Sequence, residues 1–355
     1  MNEKKNSKVA STLKRIIGIV IIPLLCFVAT EIACLANGTS LFSGGYSTFQ
    51  IFMRGITFVL LLSFGVSINM HTGRFDFATG AVMLVGGVLG AKLAVAWGVG
   101  PIGMMAIAGF FGALFGAICG GLYVLLKLPP MIIGLGMTLI IEGLVAIFTD
   151  GCKPVNFGSD SSFFVFAQTP VACITICLLA LIMMVVLFHY TKFGYDYRAL
   201  QTGQKISVNT GVNEKKNAFV CYTIAGLLFG VAGAISICSS NGITPTINFS
   251  TIATMFSCFL PLFFSGLISR YCNKQVAILI ACIAYEFIQV GFGSIQFVNA
   301  GFTPSVKSII EAIILVGFLI YQNNEHTFVE IATLKKLREK IKAKKQIKEP
   351  VQEEV

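Results

Sequence analysis

The chain has 355 residues, of which 55% are hydrophobic and 12% charged, a mean hydropathy of +0.83 and a formal net charge of +10. A soluble domain of this length needs charge over most of its surface, so the composition places the chain in a lipid bilayer. The positive charge collects at both ends and in a few connecting stretches, and the 31 Phe sit mostly in apolar runs. That pattern points to anionic headgroups and topology and argues against a nucleic-acid partner.

The first stretch, MNEKKNSKVASTLKR, is basic, and an apolar run of about 20 residues follows it, which is span length. A cleaved signal would have a shorter apolar core and a small-residue cleavage site, so a retained first helix is expected. About ten apolar segments follow one another, near 16–36, 50–70, 78–98, 102–126, 131–149, 171–190, 218–238, 251–269, 276–294 and 304–321. The domain reading is therefore a cytoplasmic basic N-terminus (1–15), a transmembrane body (16–322) and a cytoplasmic charged tail (323–355). The fold class is an all-α polytopic membrane protein. Gly86, Gly87 and Gly90, then Gly109, Gly112, Gly116, Gly120 and Gly121, and later Gly226, Gly230 and Gly233 mark three spans as interior helices. Small residues let backbones approach closely where lipid supplies no hydrophobic drive between helices.

An even number of spans puts both termini on one side. With that side cytoplasmic, only Arg54, Lys92, Lys153 and Lys307 of the 26 Lys and Arg lie on or towards the other face. The longest polar interruption with a charge bias, Thr191–Asn217 (TKFGYDYRALQTGQKISVNTGVNEKKN), then lies in the cytoplasm. The external stretch 150–170, with Asp150 and Asp160, is either a solvated connector or a surface for an outside partner.

Few residues can carry chemistry. There is no GxxxxGK[ST] loop, no HExxH, no GxSxG, and no Cys/His cluster at metal spacing, so neither a catalytic residue nor a metal or cofactor site is expected. Most of the eleven Cys fall in apolar runs, where a thiol behaves as a small hydrophobe. Polar groups within apolar segments are the remaining candidates, since they are costly in lipid and face a cavity or a partner. Asp76 lies in TGRFDFATG between Gly73 and Gly80, where it can cap a helix starting near Phe77, meet cargo, or pair with Arg74. Pro129 and Pro130 open the span LPPMIIGLG, where missing backbone donors cost nothing. Glu31, Glu142, Glu286 and Glu311 also fall in apolar segments. Glu142 and Glu286 are deepest, and either line a polar path or pair with a Ser, Thr, Asn or Gln of a neighbouring helix.

These stretches give the chain a resemblance to a known family. Thr72, Gly73, Asp76 and Gly80 match a TGGIDLSVG-like motif, and Pro129, Pro130, Ile132, Leu135 and Gly136 match a VPPFIVTLG-like one. Thr191, Phe193, Gly194, Ala199, Gly211 and Asn213 match a stretch like TxFGRxxxAxGGNxxAAxxxGINV. Tyr222, Gly226, Gly230, Ala232 and Gly233 match YxxxGxxAGxAG, with Phe229 in place of the first Ala. In this order and spacing they resemble the bacterial ABC-importer permeases of the ribose and simple-sugar class, related to the branched-chain amino-acid permeases. The resemblance covers about residues 16–322. The chain departs from the pattern at Gln201-Thr202, at Ile206-Ser207 and at 258–268 (CFLPLFFSGLI), where the family is Gly-rich.

The resemblance implies a type II ABC importer permease of about ten spans in a bacterial inner membrane, paired with a second permease subunit. ATP would be used by separate cytoplasmic ATPase subunits, and an extracytoplasmic binding protein would deliver cargo. It places an ATPase-coupling role on Phe193, Gly194, Arg198, Ala199, Gly211 and Asn213. Translocation-path candidates are Asp76, Gly80, Pro129, Pro130, Glu142 and Glu286. Asp76 in the motif favours a sugar over nucleosides or branched-chain amino acids. An ATP-independent facilitator, or a membrane subunit that moves nothing, are the rival readings.

Overall fold

The computed structural model describes residues 2–157 and 161–294, together with Ile309, Ala312, Ile313, Val316, Gly317 and Ile320. Among the described residues the regular structure is helical apart from one two-residue strand pair. The long helices are α1 (Asn2–Ala36), α2 (Tyr46–Met70), α3 (Thr79–Trp97), α4 (Pro101–Leu126) and α5 (Pro130–Phe148). After β1 (Val155–Asn156) and α6 (Ser162–Gln168) comes α7 (Pro170–Tyr190). Two short helices follow, α8 (Lys192–Thr202) and α9 (Gln204–Asn209), and then α10 (Glu214–Ser240). The remaining described elements are β2 (Gly242–Ile243), α11 (Ile252–Phe256), α12 (Phe259–Ile268) and α13 (Lys274–Ser294).

Local chemistry sets many of these boundaries. Pro101, Pro130 and Pro170 occupy the first turns of α4, α5 and α7, where an N–H would be unsatisfied anyway. Thr191 caps α8 by accepting from Gly194 N at 3.2 Å, and Asn213 caps α10 by accepting from Lys216 N at 3.0 Å.

Among the described residues, 8 helices are long and apolar enough to cross a membrane, the first from Arg15 to Ala36. Seven of the expected later segments coincide with them to within a few residues. The expected segment 304–321 lies almost wholly outside the described residues, as do Glu311, Asp160 and the charged tail. The expected segment 251–269 differs: it is two short helices, α11 and α12, interrupted at Ser257–Cys258. Hydropathy reports the solvent a segment prefers and not its backbone: Ile252–Ile268 is apolar but shorter than the other spans, and the chain before it is irregular from Thr244 to Thr251. Residues 2–15, the basic stretch, are helical and run unbroken into the first span within α1.

Two units divide the chain, Met1–Thr303 and Pro304–Val355. In the second, the six described positions are helical. The core of the first is the packing of α3, α4 and α10. Here the glycines the sequence singled out meet backbone to backbone. A Cβ on Gly230 would lie 2.0 Å from the carbonyl oxygen of Ala108, and one on Gly226 would lie 2.3 Å from that of Gly112. Gly86 of α3 meets Gly230, and Gly233 of α10 meets the Met83 carbonyl of α3, closing the same seam. The departure at Phe229 is accommodated across it by Gly65 of α2, whose absent side chain leaves room for the ring. Against this block pack α2 and α5, α7 packs on α2, and α1 joins α13 through Phe27 and Phe287, with ring centroids 5.3 Å apart.

Alternation of the spans gathers the start of α3, α5, α10 and α13 and the finish of α2, α4 and α7 at one end, which also carries α8 and α9. At the opposite end β1 and β2 pair antiparallel, Val155 against Ile243 and Asn156 against Gly242. There the Lys92 ammonium of α3 donates to the Phe148 carbonyl at the end of α5. This gives one of the four off-side cations a local partner, where a positive charge suits the helix C-terminus.

Candidate functional site

Two of the sequence motifs meet at the junction between α2 and α3. An Oδ1 of Asp76 accepts from Ala78 N at 2.9 Å at the entrance to α3, which is capping geometry. Gly134 of α5 lies directly against this turn: a Cβ there would be 2.4 Å from Asp76 Oδ1 and 2.6 Å from Phe77 N. One turn on, Thr138 donates to the Phe77 carbonyl at 3.2 Å. So TGRFDFATG and LPPMIIGLG form one joint. Pro129 and Pro130 serve its frame, capping and starting α5.

The third partner is the irregular chain before α11, and Glu142 holds it. Glu142 is buried and accepts three hydrogen bonds: from Phe249 N at 2.9 Å, Thr251 N at 3.0 Å and Thr251 Oγ1 at 2.7 Å. Twelve residues into α5, it stands about 18 Å along that helix from Pro130. Non-helical backbone at such depth persists only where protein or water satisfies its polar groups. Glu142 supplies that need. Its partners are Thr251, the first residue of the segment expected as a helix, and Phe249 in the irregular chain just before it.

Gly80 completes the joint. A Cβ there would sit 1.9 Å from the Thr251 carbonyl oxygen, so the second residue of α3 must be bare for the segment to close over it. Phe75 stacks on Phe259 of α12 at 5.5 Å, extending the contact past the break. Asp76, Gly80, Gly134, Thr138, Glu142 and Thr251 therefore form one buried polar seam between α3, α5 and the irregular chain. Glu286 belongs elsewhere: on α13, it rests against Gly55 of α2, where a Cβ would lie 1.8 Å from Oε1.

Asp76 does not pair with Arg74. The Arg74 side chain is 2% exposed, donates to Thr72 Oγ1 at 3.2 Å and reaches Glu214 at the start of α10 at 3.9 Å. A cation in an apolar junction needs such a partner. Its neighbour in sequence, Asp76, is occupied by the bond to Ala78 N. If the carboxylate serves chiefly as a cap, Asp76→Asn retains an oxygen acceptor and should keep the melting temperature of the detergent-solubilised protein. Asp76→Ala should lower stability by about 1 kcal/mol. Equal losses in both variants would show that the charge itself is used.

The residues expected to couple the chain to a partner build a compact unit at the α8 end. Phe193 packs on Phe188 of α7 at 5.6 Å, and the Tyr197 hydroxyl donates to the Ile68 carbonyl at 3.0 Å, tying α8 to the end of α2. Burial pushes the Tyr197 phenol far above its usual range, so it stays protonated and keeps donating. Gly194 is wedged against the last carbonyls of α7, with a Cβ position 2.5 Å from Leu187 O and from Phe188 O. The Ala199 carbonyl accepts from Ser207 Oγ at 2.6 Å, which folds α9 back on α8. Arg198 lies 4.7 Å over the ring of Tyr195, and Gly211 turns the chain into α10 at φ 97°. What the sequence presented as a polar interruption is thus a helical hairpin. Its departures are structural: Ser207 makes the fold-back bond, and Gln201 accepts from Lys274 of α13 at 3.2 Å.

A multi-pass helical bundle with a buried, broken segment over a polar seam defines a membrane permease architecture. The chain belongs to the family described as "Branched-chain amino acid transport system / permease component", which matches residues 47–319. It is 30% identical over 200 residues to the ribose import permease protein RbsC of Bacillus subtilis (strain 168), covering 55% of this chain and 61% of that protein. It is 27% identical over 271 residues to the galactofuranose transporter permease protein YtfT of Escherichia coli (strain K12), covering 75% of this chain and 76% of that one. Similarity to the D-allose transport system permease protein AlsC of the same strain is 28% over 191 residues, 53% of this chain and 58% of that protein. For the ribose and allose relatives the matched stretch is thus about three fifths of their length.

Proposed function

We propose that the chain is the membrane-spanning subunit of an ATP-driven importer for a small polar solute, a sugar in the first instance. The observation that carries this reading is the seam at Glu142, in a chain whose family match runs from 47 to 319. Transporters place sites where discontinuous helices meet at membrane depth, and α11 with its irregular leader is such a helix. The names of the ribose, galactofuranose and allose relatives support a sugar as cargo. The distribution of Lys and Arg supports an orientation with α8, α9 and both termini in the cytoplasm of a bacterial inner membrane.

On this reading cytoplasmic ATPase subunits grip α8 and α9, a second permease subunit pairs with this one, and an extracytoplasmic binding protein delivers cargo near β1 and β2. Nucleotide chemistry belongs to the ATPase alone. ATPase closure favours one arrangement of the spans over another, and the push enters through Tyr197 and Gly194, which tie α8 to α2 and α7. Uptake of labelled ribose and other free sugars into proteoliposomes, with and without ATP and the co-purifying ATPase, tests it. Uptake that survives ATP depletion would replace the importer with a facilitator.

The docking role has its own test. Arg198→Glu reverses a half-buried charge on α8, and Gly211→Leu puts a side chain on a backbone at φ 97°, a strain of about 1–3 kcal/mol. Each should weaken ATPase co-purification by about tenfold while the chain still elutes as a monodisperse peak. Undiminished association in both variants would remove the coupling role.

A further inference from the structure

The irregular chain between β2 and α11 is buried at both ends and open in the middle. Pro245 and Thr251 are buried, while Thr246, Ile247, Asn248, Phe249 and Ser250 between them are all exposed. Glu142 fixes the depth of this stretch, because it binds Phe249 N and Thr251 N from the middle of the 19-residue span α5. Its position, about 18 Å along a helix about 28 Å long, lies near the centre of a hydrocarbon layer about 30 Å thick.

Exposure at that depth restricts what can lie outside. Hydrocarbon would leave a non-helical backbone and the Thr, Asn and Ser side chains without hydrogen-bond partners, so lipid does not cover this stretch. The lipid-facing surface has another composition: at mid-span on α7 the exposed residues are Leu178, Leu179 and Ile182. The stretch is also held in an uncommon shape. Asn248 and Phe249 lie at φ 67° and 61°, a conformation that side chains rarely adopt, and the bonds to Glu142 keep it in place. Thr246 Oγ1 donates to Ser250 Oγ at 2.7 Å and closes the loop. No charged residue falls within 246–250.

We propose that residues 246–250 form a wall of the water-filled route that cargo takes across the membrane. The Asn248 carboxamide brings two donors and an acceptor, the hydroxyls of Thr246 and Ser250 lie beside it, and Phe249 adds an apolar face. This set suits an uncharged polyol and gives an ion no counter-charge. The inference rests on the permease reading and deepens it. Asp76 and Glu142 are engaged by backbone N–H groups, so the cargo meets the chain that Glu142 supports and not the carboxylates themselves.

The test uses the full-length chain in nanodiscs, substituted singly as Asn248→Cys, Ser250→Cys or, as an apolar mid-span control, Leu179→Cys, with wild-type reactivity subtracted. Methanethiosulfonates react with the thiolate, which forms in water and not in hydrocarbon. A permanently charged methanethiosulfonate should modify Asn248→Cys and Ser250→Cys on the order of tenfold or more faster than Leu179→Cys. In proteoliposomes with the co-purifying ATPase, modified Asn248→Cys should lose the labelled-ribose uptake it shows before modification, and ATPase co-purification should be unchanged. Modification at the Leu179→Cys rate overturns the proposal, as does uptake that survives complete modification. Disulfide-linked dimers of Asn248→Cys would make the stretch a contact with a second copy and overturn it too. If the wild-type protein carries no sugar, the sugar-importer reading fails separately, and the modification rates alone decide whether the wall faces water.

Discussion

Replacing Glu142 by alanine should sharply lower the stability of the detergent-solubilised protein and release the chain between β2 and α11. The carboxylate accepts from two backbone N–H groups and one hydroxyl, at 2.7–3.0 Å, in a site that is 1% exposed. Hydrogen bonds to a charged acceptor contribute about 1.5–3 kcal/mol each, and a buried N–H left without a partner costs about 1–3 kcal/mol. These effects overlap, so a loss on the order of 4 kcal/mol is expected. Glu142→Gln keeps one oxygen for Thr251 but turns an NH₂ towards the other donor, and should fall about midway. Melting temperature orders the three proteins, and limited proteolysis reads whether residues 244–251 have become accessible. Equal melting temperatures with no new cleavage would show that Glu142 does not pin the segment.

The second large effect is expected at Gly230. A Cβ there meets the Ala108 carbonyl oxygen at 2.0 Å and its carbon at 2.8 Å. Both are backbone atoms of α4, so no side-chain rotation relieves the overlap. Overpacking in a core costs about 1–3 kcal/mol when side chains can yield, and here they cannot. Gly230→Leu should abolish monodisperse protein, and Gly230→Ala should lower the melting temperature strongly. Gly136→Ala is the control. It has nothing within 4 Å, and removing a helical glycine should be neutral or stabilising by about 0.5–1 kcal/mol. Comparable losses at both positions would mean that the seam is not the close contact described.

Much of this architecture is legible in the amino acids because lipid imposes simple rules. Apolar length marks the spans, and the glycines of α3, α4 and α10 mark the helices that pack closest. Hydropathy misread 251–269, because it does not see backbone continuity. The signal lies just upstream, in Thr246, Asn248, Ser250 and Thr251, uncharged polar residues that invite an irregular chain, with Asn248 and Phe249 both at positive φ. Asp76 and Glu142 were identifiable one at a time as costly carboxylates. Their assembly was not, since it depends on a carbonyl of Thr251 resting on Gly80, a contact between residues far apart in the chain. Arg74 shows the same limit: sequence proximity suggested Asp76, and the fold supplies Glu214.

The glycine seam also determines where the protein can bend. Side chains hop between rotamers and so give an ordinary helix interface some slack, but backbone resting on backbone has none to give. Helices α3, α4 and α10 must then travel as a single rigid wedge. Any rocking between alternative openings has to be absorbed at its margins, at the interrupted α11–α12 element and at the hairpin joining α7 to α10. The strokes of such a machine would be taken up by its hinges rather than shared among its spans.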